Sequence, residues 1–175
     1  LPISKDIVGG DFYWFRSFGD IAVIAAVDCT GHGVPGGFMS MMGSLLLDKI
    51  DRKNNLNTGT ILAELNAEVI RVLRQKSEGS MQDGMDLSIC LIDKAKGELH
   101  FSGARNGIYV LDDNKSKHYD ADLIPVGGFH SKKSKEIERK YSQQKISINK
   151  NDWVFMYTDG YVDQLGGSEM RSLGM

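Results

Sequence analysis

Short unbroken apolar runs alternate with two stretches of helical spacing along the chain, and that alternation predicts its elements. Residues 21–27, Ile-Ala-Val-Ile-Ala-Ala-Val, are apolar without a break. A strand exposed on one face would alternate, so this run predicts a strand covered on both faces. Ahead of it, residues 7–18 read as a partner strand joined through Gly19-Asp20 as a tight turn. Pro35 suits the first turn of a helix, and Phe38, Met41, Met42, Leu45 and Leu46 then recur at helical spacing up to Ile50. Leu62, Leu65, Val69, Val72 and Leu73 recur at three- and four-residue steps and predict a second, amphipathic helix. Thr58 or Thr60 is its expected N-cap, and residues 77–80 break the pattern. Strands dominate the rest: 85–93 and 98–103 about a turn at 94–97, then 107–111 running into a turn at 112–115. A weakly alternating strand lies within 137–148, and 153–158 is the last clear one. Strands on both sides of a central helical pair predict an α+β fold with largely antiparallel sheets rather than a βαβ repeat.

Composition narrows the class. A length of 175 residues suits one domain, so residues 1–175 are expected to form a single unit. A formal net charge of −2 offers no general attraction for nucleic acid or an anionic membrane. The densest basic stretch, residues 132–140, is interrupted by Glu136 and Glu138 and reads as a solvated surface. Cys29 and Cys90 sit in apolar runs and read as buried free thiols of a reducing, cytoplasmic compartment. No apolar run reaches the roughly 18 residues that span a bilayer, and no signal peptide pattern is present. The chain opens on Leu1-Pro2-Ile3-Ser4 and closes on Arg171-Ser172-Leu173-Gly174-Met175, where an element is starting. It is therefore expected to be a piece of a longer protein, whose N-terminal part could supply a membrane anchor.

The candidate chemistry lies at the strand ends. Asp28 closes the apolar run and opens Cys29-Thr30-Gly31-His32-Gly33, while residues 153–158 run into Asp159-Gly160. Asp11 follows Gly9-Gly10 and precedes Phe12-Tyr13-Trp14-Phe15. One such acid is commonly a turn former or a helix N-cap. Three of them beside glycines suggest a single acidic cluster at a sheet edge. Such a cluster repels itself, and a divalent metal is its natural occupant. Gly10, Gly31, Gly33 and Gly160 would let the backbone fold close to an ion and lend a carbonyl. Oxygen donors favour magnesium, manganese or calcium over zinc. Two ions bridged by one carboxylate would polarise a phosphoryl group and generate hydroxide between them. His32 has no second His or Cys at zinc-like spacing, so it reads as shaping the loop or touching groups behind the ligands. Met39, Met41 and Met42 read as core. Gly9-Gly10 and Gly127-Gly128 lack the Lys-Ser/Thr of a phosphate loop.

Three segments in order resemble the motifs of metal-dependent serine/threonine phosphatases. They are Val8-Gly9-Gly10-Asp11-Phe12-Tyr13, then Val27-Asp28-Cys29-Thr30-Gly31-His32-Gly33-Val34-Pro35-Gly36, then Tyr157-Thr158-Asp159-Gly160-Tyr161-Val162. The branch is the bacterial one typified by the sporulation phosphatase SpoIIE and the stress-response sigma-factor regulators, PPM-type enzymes related to protein phosphatase 2C. Gly84-Met85-Asp86-Leu87-Ser88-Ile89-Cys90, Phe101-Ser102-Gly103-Ala104-Arg105-Asn106 and Leu123-Ile124-Pro125-Val126-Gly127 resemble its middle strands.

The resemblance implies a two-layer antiparallel β-sandwich flanked by helices, with two manganese or magnesium ions at one end. Asp28 would match the bridging aspartate. Asp11 and the backbone carbonyl of Cys29 would hold one ion, and Asp159 the other. A water between the ions would attack the phosphoserine or phosphothreonine phosphorus directly. The implied partner is a small phosphorylated regulator of the anti-sigma-antagonist type. Sensor or response-regulator domains are expected upstream, and a homodimer is left open. Two departures stand out. The family's further Asp-Asp motif in a C-terminal strand has no counterpart before Met175, so the fold is expected to be C-terminally truncated and the Asp159-side ion weak or absent. No aspartate lies at 103–106, so no third ion is expected. Two rivals remain: an inactive phosphatase fold kept for partner binding, and a metal-dependent nuclease, which would want a basic groove.

Overall fold

A computed structural model describes residues 8–50, 57–75, 82–112, 115–128, 139–162, 165–166 and 171–172. The expected helix break at 77–80, most of the basic stretch, the tip of the turn at 113–114 and both chain ends lie outside these residues.

The first hairpin pairs β1 (Phe12–Phe18) with β2 (Ile21–Cys29), and α1 (Gly33–Lys49) and α2 (Thr58–Val72) follow. Then come β3 (Gly84–Asp93), β4 (Glu98–Ala104), β5 (Ile108–Asp112), β6 (Lys115–Tyr119), β7 (Val126–Gly127), β8 (Gln144–Ser147) and β9 (Trp153–Met156). A short α3 (Asp159–Val162) and a two-residue hairpin, β10 (Leu165–Gly166) with β11 (Arg171–Ser172), close the described chain. The larger sheet runs β1-β2-β3-β4-β8, with β7 also on β3, and the smaller runs β6-β5-β9. Every strand pair in them is antiparallel.

Two apolar layers hold these sheets in place. One face of the larger sheet, including Val23, Ala25, Val27, Leu87 and Ile89, packs with Leu47, Ile61, Leu62, Leu65 and Val69 from the helices. The other layer joins Cys90, Leu99, Phe101 and Ile146 to Ile108 and Val110, with Val154 and Met156 against them. No β2 residue belongs to that second layer. The uninterrupted run in β2 is accordingly covered on one face, while Ile24 and Ala26 on the other are only half-buried. The smaller sheet lies over β3, β4 and β8 and stops short of β2.

The helices differ from expectation in their buried faces. In α1 the buried positions are Gly36, Met39, Gly43, Leu46 and Leu47, whereas Phe38, Met41 and Leu45 are exposed. Met41 is therefore surface rather than core. The apolar spacing is met on both sides of this helix, so periodicity alone could not pick the inner one. Trp14 Nε1 donates to Asp48 Oδ1 at 2.8 Å and Arg16 Nη2 to the same oxygen at 2.6 Å, tying the end of α1 to β1. The N-cap of α2 is Asn57, whose side-chain oxygen accepts from Thr60 N at 2.9 Å. Thr58 instead lies buried, its hydroxyl 2.7 Å from that of Ser102.

Hydrophobic periodicity alone did not reveal β6 or β7, the latter legible only through the family resemblance of residues 123–127. β6, Lys-Ser-Lys-His-Tyr, is an exposed edge, where lysines discourage pairing with another chain. β7 has only two residues. Arg139, the described end of the basic stretch with Lys140, is no solvated side chain. Its Nη1 donates to Asn66 Oδ1 and to the carbonyls of Pro125 and Gly127, and its Nη2 to the carbonyl of Gly128. It fastens the β7 segment to α2. No helix among the described residues is long and apolar enough to cross a membrane.

Candidate metal centre

The register of the first hairpin explains where the acids fall. Phe12 pairs with Val27, so Asp11 and Asp28 stand one step further along neighbouring strands, at the same end of the larger sheet. Asp159 arrives from the smaller sheet, three residues past the end of β9 and at the start of α3. The result is that one carboxylate oxygen from each of Asp11, Asp28 and Asp159 lies within 4.8 Å of the other two. Asp11 and Asp159 are exposed and Asp28 is half-buried between them. Thr158 Oγ1 donates to Asp11 Oδ2 at 2.6 Å, a contact across 147 positions that locks the two sheet ends together.

The backbone around the acids is tightly wound. A Cβ on Gly10 would come within 2.8 Å of the carbonyl oxygens of both Cys29 and Gly31, so this approach requires glycine. Gly31 and Gly33 hold φ of 93° and 64°, in the left-handed region that favours glycine. Gly33 N donates to Val8 O, and the Thr30 hydroxyl and amide meet Gly84, pinning the turn to its neighbours. Gly160 lies beside Asp11, where an added Cβ would sit 3.4 Å from Oδ2. His32 caps α1 in extended backbone without a side-chain capping bond and stands outside the acid cluster.

The electrostatics follow from crowding. Burial pushes the Asp28 carboxyl up to about 8, and its hydrogen-bonding contact with Asp159 and the charge of Asp11 push the same way. Without a compensating cation this group holds a proton near neutrality. Burial, then the charges of Asp28 and Asp11, push the Cys29 thiol up to about 12, so it stays protonated near neutrality. An all-oxygen set with unrelieved negative charge fits a hard divalent cation.

The family description of Stage II sporulation protein E, SpoIIE, matches residues 19–173. The chain belongs to the SpoIIE family. Its structure is similar to the SiaA PP2C domain of Pseudomonas aeruginosa, with 26% identity and a TM-score of 0.83 over 98% of this chain and 64% of that one. It is similar also to the RsbU and RsbW domains of a Mycobacterium tuberculosis protein, at 17% identity and a TM-score of 0.72, over 97% of this chain and 44% of that one. RsbX in complex with magnesium matches at 14% identity and a TM-score of 0.67, over 92% of this chain and 71% of that one. The chain thus spans less than two thirds of the first two. No curated protein matches it by sequence. The antiparallel sheets and paired helices are those of the PP2C-type fold.

Within this SpoIIE-family fold, two neighbours of the acids escaped the sequence reading. Thr158 was legible only as part of its motif. Asp86 is the residue opposite Asp28 in the β2–β3 pairing, and directly opposite residues share a face of the sheet. An acid inside the apolar stretch 85–92 was the available signal.

Proposed function

We propose that this chain is the catalytic part of a metal-dependent serine/threonine protein phosphatase. Asp11, Asp28 and Asp159, with the Cys29 carbonyl, would hold two manganese or magnesium ions, Asp28 serving both. The observation that carries this is the convergence of three carboxylates from two sheets, one of them pushed up by burial and then by the other two. Membership of the SpoIIE family and the likeness to a magnesium complex of RsbX support it. When bound, such ions would neutralise the carboxylates, polarise a phosphoryl group and activate water for in-line attack.

The chain's own residues supply the positioning. Thr158 turns Asp11 through its hydroxyl, and the Gly10 contact sets the Cys29 carbonyl beside it. The exposure of Asp11 and Asp159 leaves the site open to a protein-borne phosphate rather than enclosing a small molecule. The substrate we favour is a phosphoserine or phosphothreonine on a small regulatory protein of the anti-sigma-antagonist type, a reading in keeping with the RsbU-containing neighbour. The longer protein would add sensor or response-regulator domains, and further acids there would strengthen the Asp159-side ion. Two buried free thiols favour the cytoplasmic side. The test is manganese-dependent release of phosphate from a phosphoserine protein. Turnover that persists in excess chelator, or in Asp28→Asn, would refute the reading.

A further inference from the structure

We propose that Arg105 is the residue that grips the phosphoryl oxygens of the substrate beside the acid cluster, a reading that rests on the phosphatase assignment. Asp28 on β2 and Asp86 on β3 are direct partners, so their side chains share one face of the larger sheet. Arg105, the residue after β4, carries the row one strand further. Its Nη1 lies 3.4 Å from Asp86 Oδ2. With strands roughly 4.8 Å apart, Asp86 stands about one strand spacing from Asp28, and Arg105 reaches toward it from the next strand along. The row reads acid, acid, cation, and its acidic end is the candidate metal centre.

The details separate this arginine from an ordinary surface partner of Asp86. A closed charge-assisted pair runs at roughly 2.7–2.9 Å and is often bidentate. The contact at 3.4 Å is long and made by one nitrogen, so most of the planar fork is left for another anion. The side chain is half-exposed and open to an incoming group. Its backbone holds φ of 66°, a conformation that costs a non-glycine residue energy. The surroundings impose it: Arg105 N donates to Asp122 O at 2.7 Å, Asp122 N to Gly103 O at 3.0 Å, and Arg105 bridges Leu87. Glycine would sit there without strain. A long cationic side chain kept in a glycine's conformation, beside carboxylates that would otherwise repel a phosphate, is placed for the ligand rather than for the fold.

The experiment measures inorganic phosphate binding by calorimetry to the manganese-loaded chain, for wild type, Arg105→Gly and Arg105→Lys. Arg105→Gly should weaken phosphate about tenfold or more, as expected for loss of a charged hydrogen-bond donor, and Arg105→Lys by less. Manganese affinity should stay within about twofold in both, and the Tm of Arg105→Gly should equal or exceed that of wild type because the strain is relieved. Phosphate affinity unchanged in Arg105→Gly would overturn the assignment, as would a parallel loss of manganese affinity, a fall in Tm, or failure of the loaded wild type to bind phosphate. Arg105-dependent phosphate binding without hydrolysis of a phosphoserine protein would sink the phosphatase reading and leave this one standing. Hydrolysis indifferent to Arg105 would do the reverse.

Discussion

Asp28→Asn removes an ionisable carboxyl from a crowded site, and its effect on stability should depend on pH in a defined way. In the metal-free fold the Asp28 carboxyl is pushed from 3.8 to about 8 by burial and by Asp159 and Asp11. The folded state therefore holds the proton more tightly than the unfolded chain. Stability from this group is complete below pH 3.8, declines as pH rises, and is gone once pH passes about 8. A shift of roughly four units would be about 6 kcal/mol in a dry site. The carboxyl is only half-buried, so water screens it and about 2–3 kcal/mol is the realistic cost. For a domain of this size that is about 5–10 °C in Tm. The assay is thermal unfolding in EDTA from about pH 4 to 9, wild type against variant. Asparagine, which cannot ionise, should melt level with wild type at the acid end and about 5–10 °C higher at the alkaline end. Adding manganese should raise the Tm of wild type, since a ligand at a hundred times its Kd contributes about 2.7 kcal/mol, and leave the variant nearly unmoved. A Tm difference that stays flat across the range would show that Asp28 is not crowded by its neighbours, and the clustered site would fall with it.

Other outcomes test separate parts of the account. Asp11→Asn and Asp159→Asn should each lower manganese-dependent phosphate release at least about a hundredfold, because several kcal/mol of charge stabilisation depend on the intact cluster. Gly10→Ala, whose Cβ would meet two carbonyl oxygens at 2.8 Å, should weaken manganese binding measured by calorimetry even though no ligand side chain is altered. Arg139→Ala takes the guanidinium donor from the carbonyls of Gly127 and Gly128, and leaves Pro125 with only the Tyr141 hydroxyl; it should cost about 1–3 kcal/mol, read as a fall in Tm. Cys29 and Cys90, both pushed up to about 12 chiefly by burial, should react with a thiol reagent at pH 8 far more slowly folded than in denaturant.

Where the pattern was local, the chain declared itself. The β1–β2 hairpin, the α2 stripe of Leu62, Leu65 and Val69, and the pairing of β3 with β4 across residues 94–97 follow from periods and turn residues that act within a few positions. The three aspartates stood out because acids at the ends of apolar strands, next to glycines, are conspicuous without any coordinates. Side choice was not local. Phe38, Met41 and Leu45 of α1 satisfy helical spacing yet face outward, since what a helix buries depends on the sheet it meets. Arg139 looked solvated because its acceptors belong to segments elsewhere in the chain. β6 was invisible for a related reason, as an edge strand of lysines gains its hydrogen bonds from β5 and not from apolar periodicity.

The amino-acid order alone thus determined the strands and helices of short range and the identity of the three acids, because backbone propensity and burial periodicity are properties of neighbouring residues. Only the tertiary structure decided that Asp159 meets Asp11 and Asp28, that Thr158 bonds to Asp11, and that Asp86 and Arg105 extend the row. Those meetings arise from strand register and from the packing of one sheet on another, which bring together groups as distant in the chain as Asp11 and Asp159. Charge repulsion, a lowered tendency of Asp28 to ionise and room for a cation come into being only once that distance has been closed.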